Sequence, residues 1–232
     1  MNYIQFWHLI DKVREETLAM PDTKRLKNAL LRKEQYNDIC EAKNFQYEIN
    51  QNYMRTLKNK LRSLYSREVK EFAVIFDKYK NAAAEDNRLR CAAAVMGGIC
   101  NDELYTDFRH WLISQGEQTY LNALRDPDTL AVLETNRYPF NEGFGKAAND
   151  IYFELTNKDL VFSESCFEES DLRKMNQRLE FAKGSEKWVA GHERLAAFPG
   201  LCKKYWSAET LAEAGSQQGL LQAGQQNEVL SM

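Results

Sequence analysis

Residues 45–79 read FQYEINQNYMRTLKNKLRSLYSREVKEFAVIFDKY, and their spacing decides the fold class. Phe45, Ile49, Tyr53, Leu57, Leu61 and Leu64 recur at steps of three or four, the period of one face of an α-helix. Phe45, Tyr47 and Ile49 also alternate as a short strand would, but the length of the pattern favours helix. Tyr36 to Tyr65 contains neither proline nor glycine, so nothing interrupts it. Ser66 is placed to cap a second helix, with Val69, Phe72, Ala73, Phe76 and Tyr79 on its buried face. Glu68 and Glu71 sit in that helix's first turns, where the dipole favours negative charge.

The same period extends outward in both directions. Ile4, Trp7, Ile10, Val13 and Thr17 make one stripe, which Pro21 stops. Asp22 or Thr23 can cap a following helix through Leu26, Ala29, Leu30 and Lys33. Toward the C-terminus, Leu89 to Met96 is a small-residue helix ending at Gly97–Gly98. Asn101 caps the next, whose core face is Leu104, Phe108, Trp111 and Leu112 and which Gly116 ends. Asp126-Pro127-Asp128 is a turn whose last residue can cap Thr129–Glu134. A glycine-bearing loop precedes a helix through Ala147, Ile151, Tyr152 and Leu155, and 171–183 form another. Four prolines and 11 glycines in 232 residues suit such a chain. The expected fold is all-α, a multi-helix globular domain over 1–206. It includes a helical arm at 22–65 and a flexible tail at 207–232, which has no Lys or Arg and many Gln.

A formal charge of −3 excludes a strong whole-molecule field for nucleic acid or membrane. Residues 22–70 nevertheless carry twelve Lys/Arg against six Asp/Glu, a weak pointer to an acidic partner. Five cysteines without a CxxC pair argue against a disulfide framework and for a reducing compartment. No stretch approaches membrane-spanning length and none has the form of a signal peptide, so a cytoplasmic location is expected.

Gly98-Ile99-Cys100-Asn101-Asp102-Glu103, then Phe108-Arg109-His110-Trp111-Leu112-Ile113 and Gly116, resembles an uncharacterised helical family catalogued as domain of unknown function 4240. Its pattern runs G-G-C-S-D-D, F-R-x-W-L-I, a glycine, and P-D-S-L-A. Asp126-Pro127-Asp128-Thr129-Leu130-Ala131 matches the last element with Thr for Ser. Phe6-Trp7, Glu68-Val69 and Glu142-Gly143-Phe144 extend the likeness. Ile99 and Glu103 depart from the pattern, as does Arg88–Arg90, where tryptophans are common. Residues 22–52 stand as an insertion relative to compact members. The resemblance implies a helical fold and bacterial relatives, and it lends no activity.

The sharpest constellation is acidic. Asp102, Glu103, Asp107, Asp126 and Asp128, converging with Arg109, would suit a cation with a phosphate, or acid–base work. The structural reading is preferred. Asn101, Asp102 and Glu103 start a helix, Asp128 is a natural cap, and Arg109 is expected to reach the Asp126–Asp128 turn as a polar clasp. Glu103, Asp107 and His110 share one stripe that resembles half of a di-metal site, but no second half exists, and neither metal nor cofactor is expected. Cys100 precedes a helix start, where a thiol pKa can fall, though neighbouring acids oppose this. A Gly-rich phosphate loop, GxSxG and HExxH are all absent. Tyr53, Arg55, Lys58 and Arg62 stripe the arm as a possible interaction or phosphate-tracking surface.

The preferred expectation is a non-enzymatic protein-interaction or regulatory module, with a homodimer through the arm as one form of it. One alternative is a hydrolase or nucleotide-binding protein using Asp102, Glu103, Arg109 and Asp128. The other is nucleic-acid binding through 24–70.

Overall fold

The computed structural model describes residues 1–35, 39–98, 101–134, 138–164, 167–179 and 188–216, with side chains omitted for 31–42 and His192. Among the described residues there are helices, turns and loops, and no strand. The fold is all-α, as the periodicity predicts. Expectations that rested on the Cys100 thiol and on residues 217–232 fall outside this description.

Helix α1 (Tyr3–Ala19) opens on a reciprocal cap. The Asn2 side chain accepts from the Gln5 N–H, and the Gln5 side chain accepts from that of Asn2. It buries Phe6, Trp7, Ile10, Val13 and Thr17. Pro21 does more than end α1: it is the first residue of α2 (Pro21–Gln35), where its fixed φ suits a helix start. Thr23 is no cap but a buried residue whose hydroxyl accepts from Asn52 Nδ2 at 3.0 Å.

Helix α3 (Ile39–Arg62) makes up much of the expected helical arm, and it is packed into the domain. Ile49, Tyr53, Leu57 and Leu61 are buried, and α3 packs against α1, α2 and α8 (Glu142–Thr156). Two glycines let α8 approach its neighbours closely. A Cβ on Gly143 would lie 2.7 Å from Met54 Sδ of α3, and one on Gly145 2.4 Å from the ring of His110, which lies in the helix Asp102–Ser114.

Helix α4 (Ser66–Ala82) begins one residue before its expected cap is satisfied: Tyr65 is the N-cap residue, and its N–H donates to Glu68. Phe6, Trp7, Phe72, Tyr79 and Tyr120 form an aromatic centre, with Trp7–Tyr79 edge-on at 4.8 Å and Phe6–Phe72 at 5.0 Å. The Tyr120 hydroxyl donates to the Tyr79 carbonyl at 2.6 Å, so its burial leaves its donor paired.

Helices α5 (Asn87–Gly97), α6 (Asp102–Ser114) and α7 (Glu117–Arg125) follow, then a 3₁₀ segment Pro127–Val132. Gly116, at φ +93°, joins α6 to α7. A Cβ there would meet the Asp11 carboxylate, which accepts from the Glu117 N–H. After α8 come α9 (Glu169–Leu179), the single-turn α10 (Arg194–Ala197) and α11 (Pro199–Tyr205). The expected tail opens on a further helical stretch. Residues 208–216 are helical, with Ser207 accepting from the Thr210 N–H and Ala214 buried.

Candidate binding cleft

The acidic motif comes apart in three dimensions. Asn101 caps α6 by accepting from the Leu104 N–H at 2.8 Å. Asp102 pairs with Arg90, and Glu103 is exposed. Arg109 is buried, and it does not reach the Asp126–Asp128 turn. Its guanidinium donates to the carbonyls of Lys80 (2.9 Å) and Tyr105 (3.4 Å) and to the Thr106 hydroxyl (2.9 Å). The sequence offered only acids as partners for Arg109, whereas the close approach of α4's C-terminal end offered a carbonyl. A cation there also meets the negative pole of the helix dipole. Asp126 accepts from the Asp128 N–H and caps the 3₁₀ segment. Asp128 caps nothing in its own segment. Its two oxygens accept from the Gly200 and Leu201 N–H groups at 3.0 and 2.8 Å, holding the start of α11. Asp102, Arg109 and Asp128 of the proposed enzyme set are thus each held by different partners: Arg90, the carbonyls of α4 and α6, and the start of α11.

The arm's stripe is likewise spoken for. Tyr53 is buried, and burial pushes its phenol up to about 12. Lys58 pairs with Asp150 at 2.6 Å, and Arg62 grips Glu154 with two nitrogens at 2.9 and 3.0 Å. Arg55 alone of that set is exposed and enters no ion pair among the described residues. Solvent screens these exposed pairs, so they add little to stability, but they cancel the charge a phosphate backbone would seek.

A different place is concave. A cleft of about 760 Å³ opens between α3, the end of α5, α6, the loop 138–141 and the first turns of α8. Asn50 of α3 donates to the Phe140 carbonyl at 2.6 Å and accepts from Gln46 at 2.7 Å, tethering the loop. The Asn141 N–H donates to the Asp107 carbonyl at 3.1 Å, so these two residues stand side by side. Lys43 lies 4.8 Å over the Tyr138 ring, and Lys146 pairs with Glu142. Gly98, at φ +84°, turns the chain out of α5 and forms part of the wall.

Two polar groups at this cleft stand out. Asn141 is 2% exposed, yet its Nδ2 has no hydrogen-bond partner among the described residues. The Asp107 carboxylate has no ion pair there either. Burial raises it to about 6, helped by the negative charges of Glu142 and Glu103 and opposed by Lys146. One turn on, His110 faces away from the cleft against Phe76 and Gly145. Burial, then the charges of Lys80 and Arg109, lower it to about 4, and its Nδ1 is unpaired. Asp107 and His110 thus part company, which removes the half di-metal reading. No group of three or more His, Cys, Asp or Glu among the described residues is arranged to hold a metal ion.

A family model described as a protein of unknown function (DUF4240) matches residues 1–154. The chain belongs to that family. Every wall of the cleft lies within the DUF4240 span, whereas Gly200 and Leu201, the partners of Asp128, lie beyond it. The cleft is accordingly part of the DUF4240 domain proper. Comparison with curated proteins and with solved structures returned no match. Of the cleft's residues, Asp107 was the one the sequence marked as a candidate for chemistry, on a stripe with Glu103 and His110, while Gly97, Gly98, Leu104, Glu142 and Gly143 were read as helix ends, core or family likeness. Asn50 and Asn141 carried no local signal, because their roles depend on neighbours about 90 and 34 residues away.

Proposed function

We propose that the chain is a cytoplasmic, non-enzymatic protein-binding module, and that the α3–α6–α8 cleft is its recognition surface. The observation that carries this reading is the composition of the cleft. Amides from Gln46, Asn50, Gln51 and Asn141 line it together with Tyr47 and Tyr138. Tyrosine and asparagine suit recognition of polypeptide, giving broad contact at low entropic cost and adaptable hydrogen bonding. Lys43 and Lys146 offset Asp107 and Glu142, so no net field favours a polyanion. Buried free thiols at Cys91 and Cys202 support a reducing compartment. No helix among the described residues is long and apolar enough to cross a membrane.

The test is site-specific photocrosslinking in living cells. A benzophenone amino acid replaces Tyr47, 64% exposed at the cleft, and separately Tyr65, 82% exposed away from it. Discrete protein adducts from position 47 and not from 65 agree with the proposal. Adducts from 65 alone contradict it.

One observation favours a second reading. A carboxylate held near pKa 6 in a cleft is suited to general acid–base work, which would make Asp107 the centre of a hydrolase. Cleavage of bound segments, abolished by Asp107→Asn with binding retained, would establish it.

A further inference from the structure

We propose that a second, smaller cavity between α1, α2, α3 and α6 binds a short-chain monocarboxylate, with the Arg14 guanidinium and the Tyr53 hydroxyl holding its charged end. This site is separate from the cleft and does not depend on it. Gln46 and Asn50, bonded to each other, border both spaces and stand between them. The cavity measures about 80 Å³, and the exposed Glu134, which pairs with Lys27 at 3.3 Å, lines it on the solvent side.

Tyr53 is 5% exposed, and its hydroxyl makes no hydrogen bond among the described residues. That oxygen is not among the unbonded polar atoms sealed from solvent, and Tyr53 borders this cavity. The Arg14 charge opposes the rise that burial gives the phenol, so guanidinium and hydroxyl are neighbours. Arg14 itself pairs with no acid among the described residues. Its Nε is closed off and unbonded, which leaves the two terminal nitrogens to face the cavity that Arg14 lines. Asp11, one turn earlier on α1, accepts from the Glu117 N–H instead. A buried phenol with an unmade bond, beside a cation with no counter-charge, is a donor pair for one anion.

Charge and shape narrow the class. Lys27 and Glu134 cancel, so Arg14 is the uncompensated charge of this cavity and a single negative charge balances it. A phosphate monoester, at about −1.5 to −2 near neutral pH, would leave an excess. Leu30, Ile49 and Trp111 make the rest of the wall apolar. The space suits several waters, and so a ligand of a few heavy atoms with a charged head and a short apolar body.

Calorimetric titration of the full chain with butyrate is the test, with butyramide and inorganic phosphate titrated in parallel. Butyrate should bind saturably and raise the melting temperature, and butyramide, its uncharged counterpart, should do neither. Arg14→Gln and Tyr53→Phe should each weaken butyrate binding about tenfold or more, the worth of a charge-assisted hydrogen bond. Melting curves of the unliganded variants show that they fold, and the butyrate–butyramide contrast in the wild-type chain tests the charge independently of them. Butyrate binding that survives both substitutions, or no saturable binding to the wild-type chain, overturns the site. Phosphate bound in preference to butyrate overturns the monocarboxylate assignment.

Discussion

The start of α6 with the 126–128 turn, and the cleft beside it, are both polar, yet they differ in how their polar groups are met. In the first, Asn101 caps α6, Asp102 pairs with Arg90, Asp128 holds α11, and Arg109 fills three acceptors, with the Arg90 Nε left over among the described residues. In the cleft, the Asn141 amide nitrogen is unpaired and the half-buried Asp107 carboxylate enters no ion pair among the described residues. Satisfied polar groups explain themselves as structure. Unsatisfied buried ones ask for a partner. The conspicuous motif is therefore the scaffold, and the inconspicuous asparagine is the better functional candidate.

The largest effect is expected on the scaffold side. Arg109→Ala removes a buried cation and leaves the Lys80 carbonyl at the end of α4 unpaired, so urea denaturation should show a loss of about 3 kcal/mol. A variant as stable as wild type would mean that the motif does not hold α4 to α6. Next in size is Gly145→Ala, which drives a methyl into the His110 ring. Overpacking of this kind costs about 2 kcal/mol, read from the same denaturation curves. It should also loosen α8 against α6, visible as faster amide exchange in both helices.

Asp128→Ala should cost about 1 kcal/mol, the usual worth of a helix cap, with exchange accelerating in α11 and not in the 3₁₀ segment. If the 3₁₀ segment loosened instead, Asp128 would be a local cap after all.

Smaller still is a pH effect that sets the two regions against each other. His110 is depressed to about 4, so the unfolded chain binds the proton more readily between about pH 6.5 and 4. This group's contribution to stability is lost as pH falls through that window. Asp107 is raised from 3.8 to about 6, so the folded chain binds the proton more readily, and its contribution is lost as pH rises through about 6. The two oppose each other. Asp107→Asn should therefore gain stability over wild type as pH rises from 4 to 7, by about 1 kcal/mol or less because solvent in the cleft screens the charge. A gain that shrank with rising pH would contradict the assignment.

Much of the fold was legible because apolar spacing is a local property. Ile49, Tyr53, Leu57 and Leu61 announced a helix, and Asn101 announced a cap. The destination of that helix was not legible, because α8 meets it at Gly143, about 90 residues away, in a stretch read from sequence as a glycine-bearing loop but folded as the first turn of α8. Arg109 stood out for the same reason it misled: its charge suggested acids, and only the packed chain shows that it meets carbonyls at a helix end. Asp107 was visible as a member of a polar stripe, but its separation from His110 needed α8 to pack against α6. Asn141 could not be read at all, since an unmade bond has no sequence signature.

The most direct test of the central claim is the unfolding free energy of Asn141→Leu, which replaces the amide by an apolar group of similar shape. If Asn141 is kept for a partner, removing its unpaired donor should leave the free chain as stable as wild type or more stable. A loss of about 1–3 kcal/mol would show that the amide serves the fold, and the cleft would lose its claim as the functional site.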